Sequence, residues 1–144
     1  MLEIQVKGQP VEAKFDFRAL FRANNLFSSG ENANDGASSI WVQLIMKDDM
    51  ALFHAIRVLL PKSYSDEDIM DFLDETDADG SVDKLASDVE EEMRKSSFFR
   101  RAAKRWLEFS EKYDNAGKKP TTAAEKTQAA TVKDIRDAVK KSLS

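Results

Sequence analysis

Two short runs of alternating apolar and polar residues open the chain and predict a β-hairpin. Leu2, Ile4 and Val6 alternate with polar residues, and residues 11–15 repeat the pattern after a turn at residues 7–10. A two-stranded hairpin is only marginally stable alone, so we expect this one to lie on helices or on another subunit.

Apolar residues at three- and four-residue steps predict helices through most of the remaining chain. The first helix follows Asp16, whose carboxylate can cap it, and it carries Phe17 and Phe21 in its apolar stripe. The stripe around Trp41 has apolar residues on both sides, which predicts a nearly buried helix with Trp41 in the core. Further helices are predicted at residues 48–60, 66–76, 81–113 (with a kink at 96–97) and 131–143.

These patterns predict an α+β fold that is mostly helical. An N-terminal two-stranded β-hairpin is followed by about five helices, a flexible linker and a short C-terminal helix. We predict a hairpin-plus-helical domain at residues 1–114, and the linker with its amphipathic helix at residues 115–144. The segment 121–130 has no large apolar residue, which favours a flexible linker, and the polar segment 28–36 predicts an exposed, mobile loop.

Composition removes most catalytic chemistry. The chain has no cysteine and one histidine, from which we predict no thiol nucleophile, disulfide, cysteine-based zinc site or histidine-paired triad. We find no phosphate-binding glycine loop and no nucleophile motif, so we predict no enzymatic activity and no cofactor. No apolar run approaches the roughly 20 residues that cross a bilayer, and no signal segment is seen, which predicts a cytosolic protein without a membrane partner.

One acidic run resembles part of a calcium-binding loop. Residues 75–83 place acids at the first, third, fifth and ninth positions and Gly80 at the sixth. The twelfth position, which should be a bidentate glutamate, is Ala86. We therefore predict an acidic turn between two helices and no metal site. A calcium-responsive acidic protein stays open as a further hypothesis, which a calcium titration would test.

Charge is unevenly distributed along the chain. Residues 66–92 hold thirteen acidic residues against Lys84 alone, whereas residues 93–119 hold nine basic residues against three acidic ones. One interpretation is that these are solvated helix faces that attract each other within the fold. The other is docking between subunits or partners through opposite charges, for which Arg101 and Arg105 are the candidate residues.

The basic helix at residues 94–105 also has the composition of a nucleic-acid-binding surface, because Phe98, Phe99 and Trp106 are interleaved with it. These aromatic residues repeat at helical spacing, which favours a packing face, and the adjacent acidic block would repel phosphate. Nucleic acid is therefore disfavoured as a partner. A small nucleic-acid-associated regulatory protein remains the alternative function.

Several local strings resemble the tail assembly chaperones of long-tailed bacteriophages. They lie within residues 1–110, at residues 2–8, 15–21, 51–60, 64–74 and 90–96. Members of that family are small, mostly helical proteins with an N-terminal hairpin. They oligomerise, coat the tape measure protein before the tail tube polymerises, recruit tube subunits and leave before the virion is complete. The loop at residues 28–36 is longer and more polar than the family pattern, and residues 115–144 have no counterpart in it.

The resemblance implies a non-catalytic chaperone in the cytoplasm of the bacterial host, absent from the mature virion. Its implied partners are the phage tape measure protein, the tail tube protein and further copies of itself. We expect self-association, with the hairpin edge as one route, and binding of tape measure helices through apolar helix faces. The candidate residues for partner packing are Phe17, Phe21 and Trp41, and those for subunit docking are Arg101 and Arg105.

Overall fold

The computed structural model describes residues 2–116 and 122–144, and in that part of the chain a β-hairpin precedes seven helices. The predicted α+β, mostly helical fold with an N-terminal hairpin is confirmed. The elements are β1 (Leu2–Val6), β2 (Gln9–Ala13), α1 (Phe17–Phe27), α2 (Gly36–Ile45), α3 (Asp49–Leu59), α4 (Asp66–Ala78), α5 (Val82–Lys95), α6 (Ser97–Ala116) and α7 (Ala123–Leu143).

The hairpin is antiparallel, with Gln5 opposite Pro10. Its two-residue turn has Lys7 at φ 55° and Gly8 at φ 71°, the left-handed conformation that both central positions of a type I′ turn require. Lys7 also forms an ion pair with Asp68 at the start of α4, with 3.3 Å between Nζ and Oδ1. The hairpin thus lies against α4 and α5, as predicted for a sheet too small to be stable alone.

The crossing of α1 over α2 is unusually close because it is made by small residues. Asp16 caps α1 by accepting a hydrogen bond from the backbone amide of Ala19 at 3.0 Å, and Ala19 and Ala23 are the buried residues of this helix. Gly36 is buried against the Ala23 carbonyl, and a Cβ at Gly36 would lie 1.8 Å from that oxygen. Gly36 is the first residue of α2, so the prediction that it belongs to the preceding loop was wrong.

Helix α2 is the central helix of the fold. It packs against α1, α3, α5, α6 and α7, and Ile40 and Trp41 are fully buried. The indole Nε1 of Trp41 donates a hydrogen bond to the hydroxyl of Ser142 in α7 at 2.8 Å. The predictions of nearly all-round burial for this helix, and of a core position for Trp41, are confirmed.

The single helix predicted for residues 81–113 is divided into α5 and α6. Ser96 adopts an extended conformation, with φ −80° and ψ 119°, and its amide donates to the carbonyl of Met93 to end α5. The hydroxyl of Ser96 then accepts from the amide of Phe99 at 3.3 Å, which caps α6. The predicted kink at residues 96–97 is thus a complete helix break.

The C-terminal helix is longer than predicted. Helix α7 begins at Ala123, where Thr122 and Glu125 form a capping box, and not at residue 131. Ala, Glu, Gln and Lys have high helix propensity, so residues 123–130 form helix without large apolar side chains, and the flexible linker predicted there was wrong. Residues 117–121 lie outside the described residues, and the domain division between residues 114 and 115 stays a prediction.

Candidate partner-binding surface

Two phenylalanine side chains project from the exposed side of α1. Phe17 and Phe21 are 57% and 65% exposed and lie one helical turn apart. The opposite side of the helix packs into the core through Ala19 and Ala23, which are fully buried. Phe17 and Phe21 therefore face outward, whereas Ala19 and Ala23 lie at the centre of the packing side, with Leu20 and Phe27 partly buried against the core.

Phe98, at the start of α6, extends this apolar surface onto a second helix. Its ring stands edge-on to that of Phe17 with 5.2 Å between the centroids, and it is 43% exposed. We call Phe17, Phe21 and Phe98 the aromatic patch. The neighbouring Phe99 points instead into the core, where it contacts Phe15. The sequence assigned Phe98 and Phe99 to one packing face and so missed Phe98, because consecutive helical residues point about 100° apart.

A groove of about 630 Å³ lies beside the aromatic patch, between α1 and the loop that leads to α2. Phe17, Leu20 and Phe21 form its apolar wall, while Asn24 and several residues of the loop at 28–34 form its polar side. A groove with one apolar and one polar wall has the polarity pattern of an amphipathic helix.

Hydrogen bonds fasten the loop wall to the helices on either side. Asp35 accepts from both the amide and the hydroxyl of Ser29 at 2.7 Å, and these bonds hold the pKa of the Asp35 carboxyl below its usual value. Ser28 donates to the carbonyl of Asn24, and the Asn24 side chain accepts from the amide of Ala37. The predicted loop is exposed at residues 29–34, but its two ends are fixed to α1 and α2.

Arg101 and Arg105 follow Phe98 at the third and seventh positions, and so lie on the same side of α6. Both are exposed, and within residues 2–112 and 122–144 neither forms a salt bridge with a carboxylate. Charge pairing between the acidic and basic blocks occurs inside α5 instead, as between Glu90 and Arg94 at 3.9 Å. The intramolecular interpretation of the charge blocks thus holds in α5, while Arg101 and Arg105 are left at the surface.

Trp41 lies apart from this surface. It has no exposed area, and its indole N–H is bonded to Ser142. In this conformation Trp41 cannot contact a partner directly. The structure therefore places Phe17 beside Phe98. It also places Arg101 and Arg105 on the side of α6 that carries Phe98, whereas Trp41 lies away from all of these residues.

The acidic run at residues 75–83 lies at the junction of α4 and α5. Glu75 and Asp77 belong to the last turns of α4, and Gly80 reverses the chain with a φ of 70°. Across the described residues, no group of three or more histidine, aspartate or glutamate side chains is arranged to hold a metal ion.

The single histidine is part of the packing between α1 and α3. The ring of His54 lies 4.3 Å from that of Phe27, and its Nδ1 is 3.2 Å from the side-chain oxygen of Gln43. Partial burial lowers the pKa of His54, and the negative charge of Asp48 opposes this shift. The neutral ring is therefore the form that the fold favours.

Comparison with known families decides what kind of protein carries this surface. A family model described as phage tail assembly chaperone protein, TAC, matches residues 3–108, which is more than half of the chain. The chain belongs to the phage tail assembly chaperone family. Neither the curated proteins nor the solved structures gave a match.

The aromatic patch of this tail assembly chaperone, together with Arg101 and Arg105, lies inside the matched region, whereas α7 lies outside it. The family indicates a non-enzymatic role in tail assembly, with tail proteins as partners. None of the described helices has the length and apolar character that a bilayer-spanning segment needs.

Proposed function

We propose that this tail assembly chaperone binds apolar helices of the tape measure protein through the aromatic patch and its groove, keeps that protein soluble and recruits tail tube subunits. The observation that carries the proposal is the exposure of Phe17 and Phe21 beside a groove with one apolar wall. Its place of action is the cytoplasm of the bacterial host, and it leaves before the virion is complete.

The size of the patch predicts weak individual contacts. Full burial of a phenylalanine side chain contributes about 1.5–3 kcal/mol, and roughly half of that remains to be gained at each exposed ring. The loss of translational and rotational freedom opposes these few kcal/mol, so one chaperone binds one partner helix only weakly. Many copies along a long helical partner provide avidity, and each can still be displaced when a tube subunit arrives.

Self-association is the second part of the proposal. Arg101 and Arg105 of one copy dock on the exposed acids of α4, such as Asp71 and Asp74, in the next copy. A basic surface on α6 that meets an acidic surface on α4 is a head-to-tail contact, which builds rings or open filaments along the partner. Such contacts weaken as salt rises.

Co-expression with the phage's tape measure protein tests the patch. The double variant Phe17→Ser/Phe21→Ser should lose capture of the tape measure protein, and that protein should become insoluble, while the melting temperature stays near the wild-type value because both rings are exposed. Leu26→Ser is the matched control, because Leu26 is 52% exposed on the other side of the same helix. Wild-type capture by a folded double variant would remove the patch from the proposal.

Light scattering coupled to size-exclusion chromatography tests self-association. The wild type should form concentration-dependent oligomers that shrink at higher salt, and Arg101→Glu/Arg105→Glu should be monomeric. Lys126→Glu/Lys133→Glu makes the same charge change at exposed positions of α7 and should behave as wild type. A strict monomer at every concentration would reject self-association and favour the nucleic-acid alternative, whose mark is an affinity that falls steeply with salt.

A further inference from the structure

Helix α7 is held on the protein by a narrow strip of its surface. Val139 and Ser142 are its buried residues, and Ile135 and Leu143 pack beside them against the core. The first turns of the helix, residues 122–128, are exposed throughout. Helix α7 therefore packs with only its last three turns over the groove between α2 and α6, which we call the α2–α6 cleft.

Among the described residues, polar contacts join α7 to α6 along one edge of the helix and at its end, where Arg100 donates to the carbonyl of Leu143. Arg136 donates to the side chain and carbonyl of Ser110 at 2.8 and 3.0 Å, and Lys140 pairs with Glu111 at 2.8 Å. Lys140 and Glu111 are about half exposed, and ion pairs in water contribute little. Below this edge, Ser142 accepts the hydrogen bond from Trp41, so the end of α7 completes the environment of a core indole.

The cleft is also separate from the aromatic patch. Ser110 and Glu111 lie on the side of α6 opposite Phe98 and Arg105, as the helical spacing of these residues requires. The part of the chain that matches the family model ends at residue 108, so α7 lies outside it and packs against α2 and α6. A partner could occupy the patch while α7 stays in place.

We propose that the α2–α6 cleft is a second helix-binding site, occupied in the free chain by α7, and that an amphipathic partner helix with apolar residues at four-residue spacing replaces α7 there. The chemistry of the occupant is read from α7 itself, whose Ile135, Val139 and Leu143 fill the cleft at that spacing. This proposal rests on the proposed function, since it supplies the regulation of helix capture.

Tethering makes α7 a competitor that only a suitable partner overcomes. A segment linked to its site acts at an effective concentration on the order of millimolar, so a single weak helix in solution does not displace it. A partner held first at the aromatic patch presents its next helix at a comparable local concentration. Opening of the cleft therefore follows engagement of the patch, and the free chaperone keeps the indole of Trp41 covered.

Hydrogen exchange on the unmodified full chain is the first test. Amides of residues 133–143 should exchange by local opening of α7 and be roughly hundredfold less protected than those of α2 and the first half of α6. Equal protection of α7 and α2 would mean that α7 opens only when the whole domain unfolds, and would overturn the proposal.

A labelled synthetic peptide of residues 122–144 is the probe for the cleft. It should bind the Val139→Asp chain at least about tenfold more tightly than the wild type, because the competing helix is then undocked. The Ala130→Asp chain makes the same charge change at an exposed position of α7 and should bind the peptide as the wild type does. Should Val139→Asp prevent folding, the hydrogen-exchange result decides.

A locked chain completes the design. The sequence has no cysteine, so Glu111→Cys/Lys140→Cys can be joined selectively by a short bismaleimide. At peptide concentrations on the order of millimolar, which match the effective concentration of the tethered helix, the joined chain should not bind the peptide and the same variant before joining should. Equal binding to the joined and unjoined chains would overturn the proposal. Capture of the tape measure protein by the Phe17→Ser/Phe21→Ser variant tests only the aromatic patch. Failure of the proposed function and failure of the proposed second site can therefore be told apart.

Discussion

Gly36→Ala is the substitution that most directly tests how the helices are arranged. A Cβ at Gly36 would stand 1.8 Å from the Ala23 carbonyl oxygen, 2.5 Å from its carbon and 3.0 Å from the Cα of Asn24. All three atoms belong to the backbone of α1, so no side-chain rotation relieves the collision. The added methyl group must push α1 away from α2.

The expected cost follows from this geometry. Ordinary contact begins near 3.4 Å, so the crossing must widen by about 1.6 Å. Overpacking typically costs ~1–3 kcal/mol, and a collision with rigid backbone falls at the upper end. The better helix propensity of alanine returns at most ~1 kcal/mol. The net loss is about 2 kcal/mol, which lowers the melting temperature of a domain of this size by roughly 8 °C.

Urea and thermal unfolding followed by far-UV circular dichroism measure this loss. Gly30→Ala is the matched control, because a Cβ at Gly30 would meet no atom within 4 Å. It should leave stability unchanged or raise it by up to ~1 kcal/mol. A Gly36→Ala chain that is as stable as the Gly30→Ala chain would refute the close crossing, and with it the position of the groove beside α1.

Two further predictions concern other parts of the core. Burial lowers the pKa of His54, so its stabilising contribution should be complete above the unfolded value of 6.5 and be lost as the pH falls through the lower folded value. Urea titrations from about pH 7.5 to about pH 5.5 should show this loss in the wild type and much less of it in His54→Gln, and equal slopes would contradict it. Ser142→Ala should cost about 1 kcal/mol, and a double-mutant cycle with Trp41→Phe should show coupling, whereas strict additivity would mean that the hydrogen bond at 2.8 Å contributes nothing.

Local signals in the sequence predicted where most elements begin. Asp16, Asp48 and Ser65 each precede a helix, and each side chain accepts a hydrogen bond from an amide of the first turn. These caps act over three or four residues, so sequence spacing alone reveals them. The hairpin was predictable for the same reason, because alternation and turn residues are also local.

Which side of a helix faces the core is not a local property. The periodicity of α1 marked Phe17 and Phe21, but its fully buried residues are Ala19 and Ala23, where small side chains allow the approach of Gly36, and Leu20 and Phe27 are partly buried. A sequence pattern shows that apolar residues share a face, but it does not show what lies opposite that face. The exposure of the candidate residues therefore had to come from the structure.

The start of α7 was missed for a different reason. Large apolar residues mark the packed half of a helix, and residues 123–130 have none. The capping box of Thr122 and Glu125 was the available signal, and the intrinsic propensity of the alanines that follow supports it. Helices that extend beyond their packed segment are found by their caps and propensities, and not by their hydrophobic period.

The pairing of Gln5 with Pro10 limits how copies of this protein can join. Next to a two-residue turn the first strand pair exchanges hydrogen bonds and the second does not, so the backbone nitrogen of Pro10 faces the outer edge of β2. Proline has no N–H there, so an added strand would find no donor at residue 10, and only the N–H of Glu12 remains on this edge of β2. In the proposed arrangement of many copies along one partner, this missing donor disfavours open-ended sheet growth through β2, and contacts between copies then fall to surfaces that can release.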